Sequence, residues 1–98
     1  MFVRVWLYAV DEPNRAGFEK AYGPEGDWAR LFARHGQYLG TELLRGEAGR
    51  FLTIDRWRSE ADWLGFLDSE GESYRALDRQ CDSLTREESE IGAFRPRA

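Results

Sequence analysis

Asp55 raises the sharpest chemical question in this 98-residue chain. It stands in FLTIDRW (51–57), a run of β-branched and aromatic residues that reads as a strand. Neighbours on a strand point to opposite faces. Phe51, Thr53, Asp55 and Trp57 therefore share one face, and Leu52, Ile54 and Arg56 the other. A carboxylate buried without a partner is costly. Asp55 can be satisfied by an ion pair with Arg4 on a neighbouring strand. It can instead sit in a pocket, with a raised pKa suited to accepting a proton. Arg4, Trp6 and Tyr8 share a face of the first strand, and Tyr38 opens the second. Trp63 lies on the helix after the third. Rings with a few polar groups among them are the usual lining of a small-molecule site. The same residues also suit a filled core whose tryptophan and tyrosine polar atoms reach the rim.

The other reactive residue types are sparse. His35 is the only histidine, so a multi-histidine metal site is excluded. Near a helix end its imidazolium would gain from the helix dipole; proton transfer is the alternative role. Cys81 is the only cysteine, so no intrachain disulfide or thiolate metal cluster can form. It falls on an apolar helix stripe and reads as a small buried hydrophobe. No Ser/His/Asp arrangement, phosphate-cradling loop or dinucleotide fingerprint is present, and no metal site is expected.

The elements that must position these residues follow from periodicity. Residues 2–10 alternate, with Val3, Val5, Leu7 and Ala9 on one face and Phe2, Arg4, Trp6, Tyr8 and Val10 on the other. DEPN ends that strand, and Pro13 suits a first helical turn. Residues 13–35 read as one helical excursion broken at GPEG (23–26), with Asp27 as the N-cap where the helix resumes and Gly36 as a left-handed C-terminal residue. Residues 38–45 and 50–57 form a hairpin around GEAG (46–49). SEAD (59–62) opens a helix with Trp63, Phe66 and Leu67 on one face. Gly71 is expected to break it. A longer helix then carries Tyr74, Leu77, Cys81 and Leu84. EIGAF (90–94) closes the chain as a short strand. The order β-α-β-β-α-β is ferredoxin-like: one domain over residues 1–98, an α+β fold with a four-stranded antiparallel sheet and helices on one face. The other face is also apolar in strands 1 and 3. Such a face marks an association site, and a symmetric homodimer packing sheet to sheet covers it.

Bulk properties bound the partners. The net charge of −4 argues against nucleic acid or an anionic membrane surface. RNA-recognition sheets place aromatics on a basic strand, whereas the third strand carries Asp55 between its rings. No run of about 20 apolar residues offers a membrane span. The start MFVRVWLYAV lacks a basic n-region and a small-residue cleavage site, so no signal peptide is expected. A reduced, cytoplasmic protein is the expectation.

GQYLGTELLR (36–45) and FLTIDRWRSEADWLGFL (51–67), in the order above, resemble the antibiotic biosynthesis monooxygenase-like family of the dimeric α+β barrel superfamily. The resemblance implies a homodimer whose sheets form a barrel, with a small-molecule pocket in each subunit. Characterised members include oxygenases of polycyclic aromatic phenols that use no metal or flavin. Others degrade haem, or isomerise or cleave small lactones. Trp57 matches the strand-end tryptophan of the family. The asparagine that both oxygenase branches use near the pocket has no counterpart here. Phe66 or Leu67 falls where haem-degrading members carry an axial histidine, which disfavours haem. The resemblance thus implies a cofactor-independent monooxygenase of a small electron-rich, polyketide- or quinol-like aromatic. Trp57 and Trp6 would be stacking walls, Asp55 or His35 the proton acceptor, and Arg4 the holder of an oxyanion. Tyr8, Tyr38, Thr53 and Trp63 would complete the ligand site. A dimeric binding or stress-associated module without a chemical step is the other expectation.

Overall fold

A strand apolar on both faces belongs in the middle of a sheet, and the first strand lies there. The structure, a computed structural model, describes residues 1–97. Its strands are β1 (Phe2–Ala9), β2 (Tyr38–Arg45), β3 (Arg50–Trp57) and β4 (Glu87–Phe94). They form one antiparallel sheet in the order β2-β3-β1-β4. Between β1 and β2 the chain makes α1 (Arg15–Tyr22) and α2 (Asp27–Phe32); between β3 and β4 it makes α3 (Glu60–Cys81). This is the ferredoxin-like α+β arrangement that the periodicity predicts.

The helix ends depart from expectation in informative ways. Gly26, not Asp27, holds the cap position of α2, and Asp27 is the first helical residue, paired with Arg30. A Cβ at position 26 would lie 2.4 Å from the Lys20 carbonyl oxygen, so the close approach of α1 and α2 requires glycine there. The helix ends at Phe32. The amides of Arg34 and His35 reach back only three residues, to Leu31 and Phe32. That tightened turn makes a left-handed residue at Gly36 unnecessary, and Gly36 has no positive φ. In α3, Ser59 accepts the Asp62 amide at 3.2 Å, as the capping pattern predicts. The break expected at Gly71 falls one residue earlier: Glu70 is non-helical (φ −118°, ψ 19°), and the two helical stretches of α3 meet there at a kink. Ser69 bonds back to the Gly65 carbonyl at 3.0 Å, and such bonding bends helices.

Two bulges set the register. Tyr38 pairs with Trp57 while Gly40 pairs with Arg56, so Leu39 is the extra residue in β2. Val5 pairs with Gly92 while Trp6 pairs with Glu90, so Ile91 is the extra residue in β4. Gly40 (φ 134°) and Gly92 (φ 151°) supply the backbone conformations these bulges need. Gly92 thus bends β4 rather than ending it, and the strand begins at Glu87, three residues earlier than the sequence suggests.

Helices and sheet meet in a layer of rings. Phe18, Phe51, Trp57 and Phe66 are its fully buried members. The opposite sheet face carries Val3, Val5, Leu7, Leu52 and Ile54, all only partly buried, with Leu44 exposed at one side. An Arg56–Glu42 pair at 2.5 Å crosses it.

Candidate functional site

Register brings three side chains into one row beneath the helices. Asp55 of β3 stands opposite Arg4 of β1 and Thr41 of β2. The next row pairs Thr53 with Trp6, and the one after pairs Phe51 with Tyr8. Above the first two rows lies a cavity of about 130 Å³. Arg4, Trp6 and Tyr8 line it from β1, and Thr41, Thr53 and Asp55 from β2 and β3. Tyr22, Trp28 and Phe32 close it from α1 and α2. Tyr74 and Asp78 of α3, with Glu88 of β4, complete the wall. Asp78 and Glu88 are exposed, so the cavity reaches solvent between two carboxylates.

The expected Arg4–Asp55 ion pair does not form. Arg4 bonds Glu90 at 2.8 Å, and its guanidinium lies 4.3 Å from the centre of the Trp63 ring. The β4 bulge is the reason, because it turns Glu90 to the helix side beside Arg4. Asp55 takes a hydrogen bond from the Thr41 hydroxyl instead, at 2.6 Å. Burial pushes its carboxyl up to about 6, while the Thr41 bond and the Arg4 charge pull the other way. Desolvation wins, as for a carboxyl in an apolar pocket. Burial also pushes the hydroxyls of Tyr8, Tyr22 and Tyr74 up. All three therefore stay neutral hydrogen-bonding groups.

Of the residues singled out in the sequence, Arg4, Trp6, Tyr8, Thr53 and Asp55 are brought together here. Tyr38 lies behind the wall and touches Asp55 only through Thr41, its hydroxyl 2.5 Å from Thr41 Oγ1. Trp63 stacks under Arg4 rather than facing the cavity. Trp57 and His35 are elsewhere. Trp57 is 0 % exposed and packs among Phe32, Trp63 and Phe66 in the core. His35 lies against the Trp57 ring, 6.0 Å between centres, with Nδ1 buried. The remaining wall residues carried no chemical signal in the sequence. Tyr22, Trp28, Phe32 and Tyr74 read as core stripes, and Asp78 and Glu88 as solvated charge. Thr41 was concealed by the bulge, since simple alternation sets it opposite Tyr38.

No protein-family model matches the chain, and no curated protein matches it in sequence. Solved structures do share its fold. SnoaB, a cofactor-independent oxygenase from Streptomyces nogalater, crystallised as a point mutant, superposes with a TM-score of 0.72 at 22% identity, over 99% of this chain and 93% of that one. The monooxygenase ActVA-Orf6 of Streptomyces coelicolor, in complex with nanaomycin D, gives 0.74 at 19% identity, over 99% and 88%. A mutant of MhuD with two manganese protoporphyrins bound per active site gives 0.71 at 17% identity, over 100% and 96%. At these identities the likeness establishes the fold.

No histidine, cysteine or methionine side chain lines the cavity to serve as an axial ligand of a haem iron. Among the described residues, no three His, Cys, Asp or Glu side chains gather to hold a metal ion. No helix among them is long and apolar enough to cross a membrane.

Proposed function

We propose that the chain is an antibiotic biosynthesis monooxygenase-like protein: a cofactor-independent oxygenase of a small electron-rich aromatic, working as a homodimer. The observation that carries this reading is Asp55. Its carboxyl, pushed up to about 6, sits in a cavity walled by Trp6, Tyr8, Trp28 and Tyr74. A group with that pKa is ionised at neutral pH yet close enough to it to exchange protons efficiently.

The chemistry balances without a resident cofactor. Asp55 takes a proton from an activated ring CH₂. The carbanion so formed is electron-rich and adds O₂, giving a peroxide anion. Asp55 returns the proton to it. Loss of water from the hydroperoxide then leaves a carbonyl, so CH₂ and O₂ become C=O and H₂O. Arg4, beside Asp55 in the same wall, holds the oxyanion that delocalisation places on the ring oxygen. Two features of the cavity limit the substrate. Its volume of about 130 Å³ is close to that of engineered cavities that hold one benzene ring, about 150 Å³. One ring is therefore enclosed, and the rest of a polycycle projects through the mouth. Asp78 and Glu88 stand there, and neither makes an ion pair among the described residues. The ligand is then neutral or cationic at that end, because an acid would meet like charge.

Oxygen uptake with a panel of hydroxyanthrones and quinols tests this. Turnover is expected with neutral members, and at least about tenfold weaker use of carboxylated analogues of the same ring, a 1.4 kcal/mol discrimination. Failure of every member to consume O₂ overturns the oxygenase. Tight binding without uptake supports the second reading, a non-catalytic dimeric binder.

The homodimer rests on the open sheet face. Leu52, flanked by Leu7 and Leu44 in register, lies within that apolar patch. Leu52→Asp is expected to turn a dimer into a folded monomer in analytical ultracentrifugation. A monomeric unmodified protein would sink the dimer.

A further inference from the structure

Tyr38 and Thr41 are three residues apart on a strand, a spacing that alternation assigns to opposite faces. The Leu39 bulge cancels that, and both side chains turn to the helix side. They build a directed chain. Thr41 Oγ1 donates to Asp55 Oδ1 at 2.6 Å, and the Tyr38 hydroxyl is 2.5 Å from Thr41 Oγ1. A threonine hydroxyl has one proton to give. Thr41 gives it to Asp55, so Tyr38 must be the donor to Thr41. Burial pushes the Tyr38 hydroxyl up, which keeps it protonated for that task. With its acceptor side occupied by Tyr38, Thr41 is held pointing at Asp55, and Oδ1 is engaged. Oδ2 is the oxygen left to a ligand.

We propose that Thr41, oriented by Tyr38, is the positioning residue of the cavity carboxylate: it fixes the carboxyl plane and leaves Oδ2 as the proton-accepting oxygen. The inference rests on the reading of the cavity as a site where Asp55 moves a proton. The Gly40 conformation is what makes it possible, since a bulge with φ 134° strains any residue with a Cβ. Other charged and titratable groups around the carboxyl stay in place when Thr41 is changed. They are Arg4 and Tyr8 of β1, with Glu90 bonded to Arg4, and Glu88 beside it on β4. Tyr74 and Asp78 face it from α3 and Tyr22 from α1, while α2 presents only the Trp28 and Phe32 rings.

The test follows the Asp55 carboxyl carbon by NMR across pH in ligand-free protein. Thr41→Val keeps the shape and deletes the donor to the charged form. Its Asp55 midpoint is expected to rise by about one pH unit or more. Thr41→Ser keeps the hydroxyl and is expected to restore the original midpoint. Tyr38→Phe, one bond further away, is expected to give a smaller rise. An unmoved midpoint in Thr41→Val overturns the proposal, as does a Thr41→Ser shift equal to that of Thr41→Val, which would mark lost packing instead. A Tyr38→Phe midpoint identical to the parent removes Tyr38 from it. Because the readout needs no turnover, its failure and that of the oxygenase are separately visible.

Discussion

Asp55→Asn is expected to lower the rate of oxygen uptake by about 10²–10⁴-fold, the usual contribution of a positioned proton acceptor, while making the fold more stable. The two effects have one cause. The folded-state carboxyl titrates near 6, against an ordinary value of 3.8. Between those values the native protein binds more protons than the unfolded chain, so stability falls as pH rises through that window. Above pH 6 the full cost of holding the charge is present, roughly 3 kcal/mol for a shift of this size. Asparagine keeps the shape and can still accept the Thr41 hydrogen bond, but carries no charge. Urea unfolding at pH 8 is therefore expected to show the variant more stable, by up to roughly 3 kcal/mol. At pH 4 the two proteins are expected to be nearly equal. The rate profile of the parent is expected to rise through an apparent pKa near 6 and flatten above it. A variant that loses stability at pH 8 and keeps its activity would mean that Asp55 serves the fold alone.

The strand that carries Asp55 was legible because alternation in FLTIDRW is regular and its pairing with β1 has no bulge. Both faces of β3 came out as the pattern implies, with Phe51, Thr53 and Trp57 buried and Leu52 and Ile54 on the open side. Where the chain has an extra residue, alternation fails. Leu39 hides Thr41 and Ile91 redirects Glu90. Glycines at 40 and 92 are the only local sign of either bulge, and a glycine in a strand can equally mark a tight bend or a close backbone approach. The sheet side of the cavity was legible, as Arg4, Trp6, Tyr8, Thr53 and Asp55, but its helical wall was not. Trp28, Phe32 and Tyr74 occupy stripes that a filled core would use equally well. Whether rings meet or leave about 130 Å³ between them depends on helix placement, and that is set by the break at GPEG and the kink at Glu70. Trp57 shows the converse. Its place at a strand end and its likeness to a family tryptophan suggest a pocket wall, yet the kinked α3 lays Trp63 and Phe66 over it.

Trp57→Ala is accordingly expected to act on stability, by about 3–5 kcal/mol. Five rings surround this side chain with centres 5.2–6.0 Å away: Phe32, His35, Tyr38, Trp63 and Phe66. Deleting the indole leaves them around a void that a stiff aromatic layer cannot collapse into. A domain of this size has roughly 5–15 kcal/mol in total, so the thermal midpoint is expected to drop by roughly 15–30 °C. Trp57→Phe separates the two roles cleanly. Indole Nε1 is buried with no hydrogen-bond partner among the described residues, so losing the N–H costs nothing and partly offsets the lost volume. Ligand affinity measured below the unfolding range is expected to be unchanged by Trp57→Phe. Trp6→Ala is the mirror case, since Trp6 lines the cavity and is only partly buried. There the affinity is expected to fall by about tenfold or more, as for loss of one stacked ring, with a small change in stability. If Trp57→Phe weakened binding as much as Trp6→Ala, Trp57 would have to reach the ligand. Phe32, the ring between Trp57 and the cavity, would then have to move aside on binding.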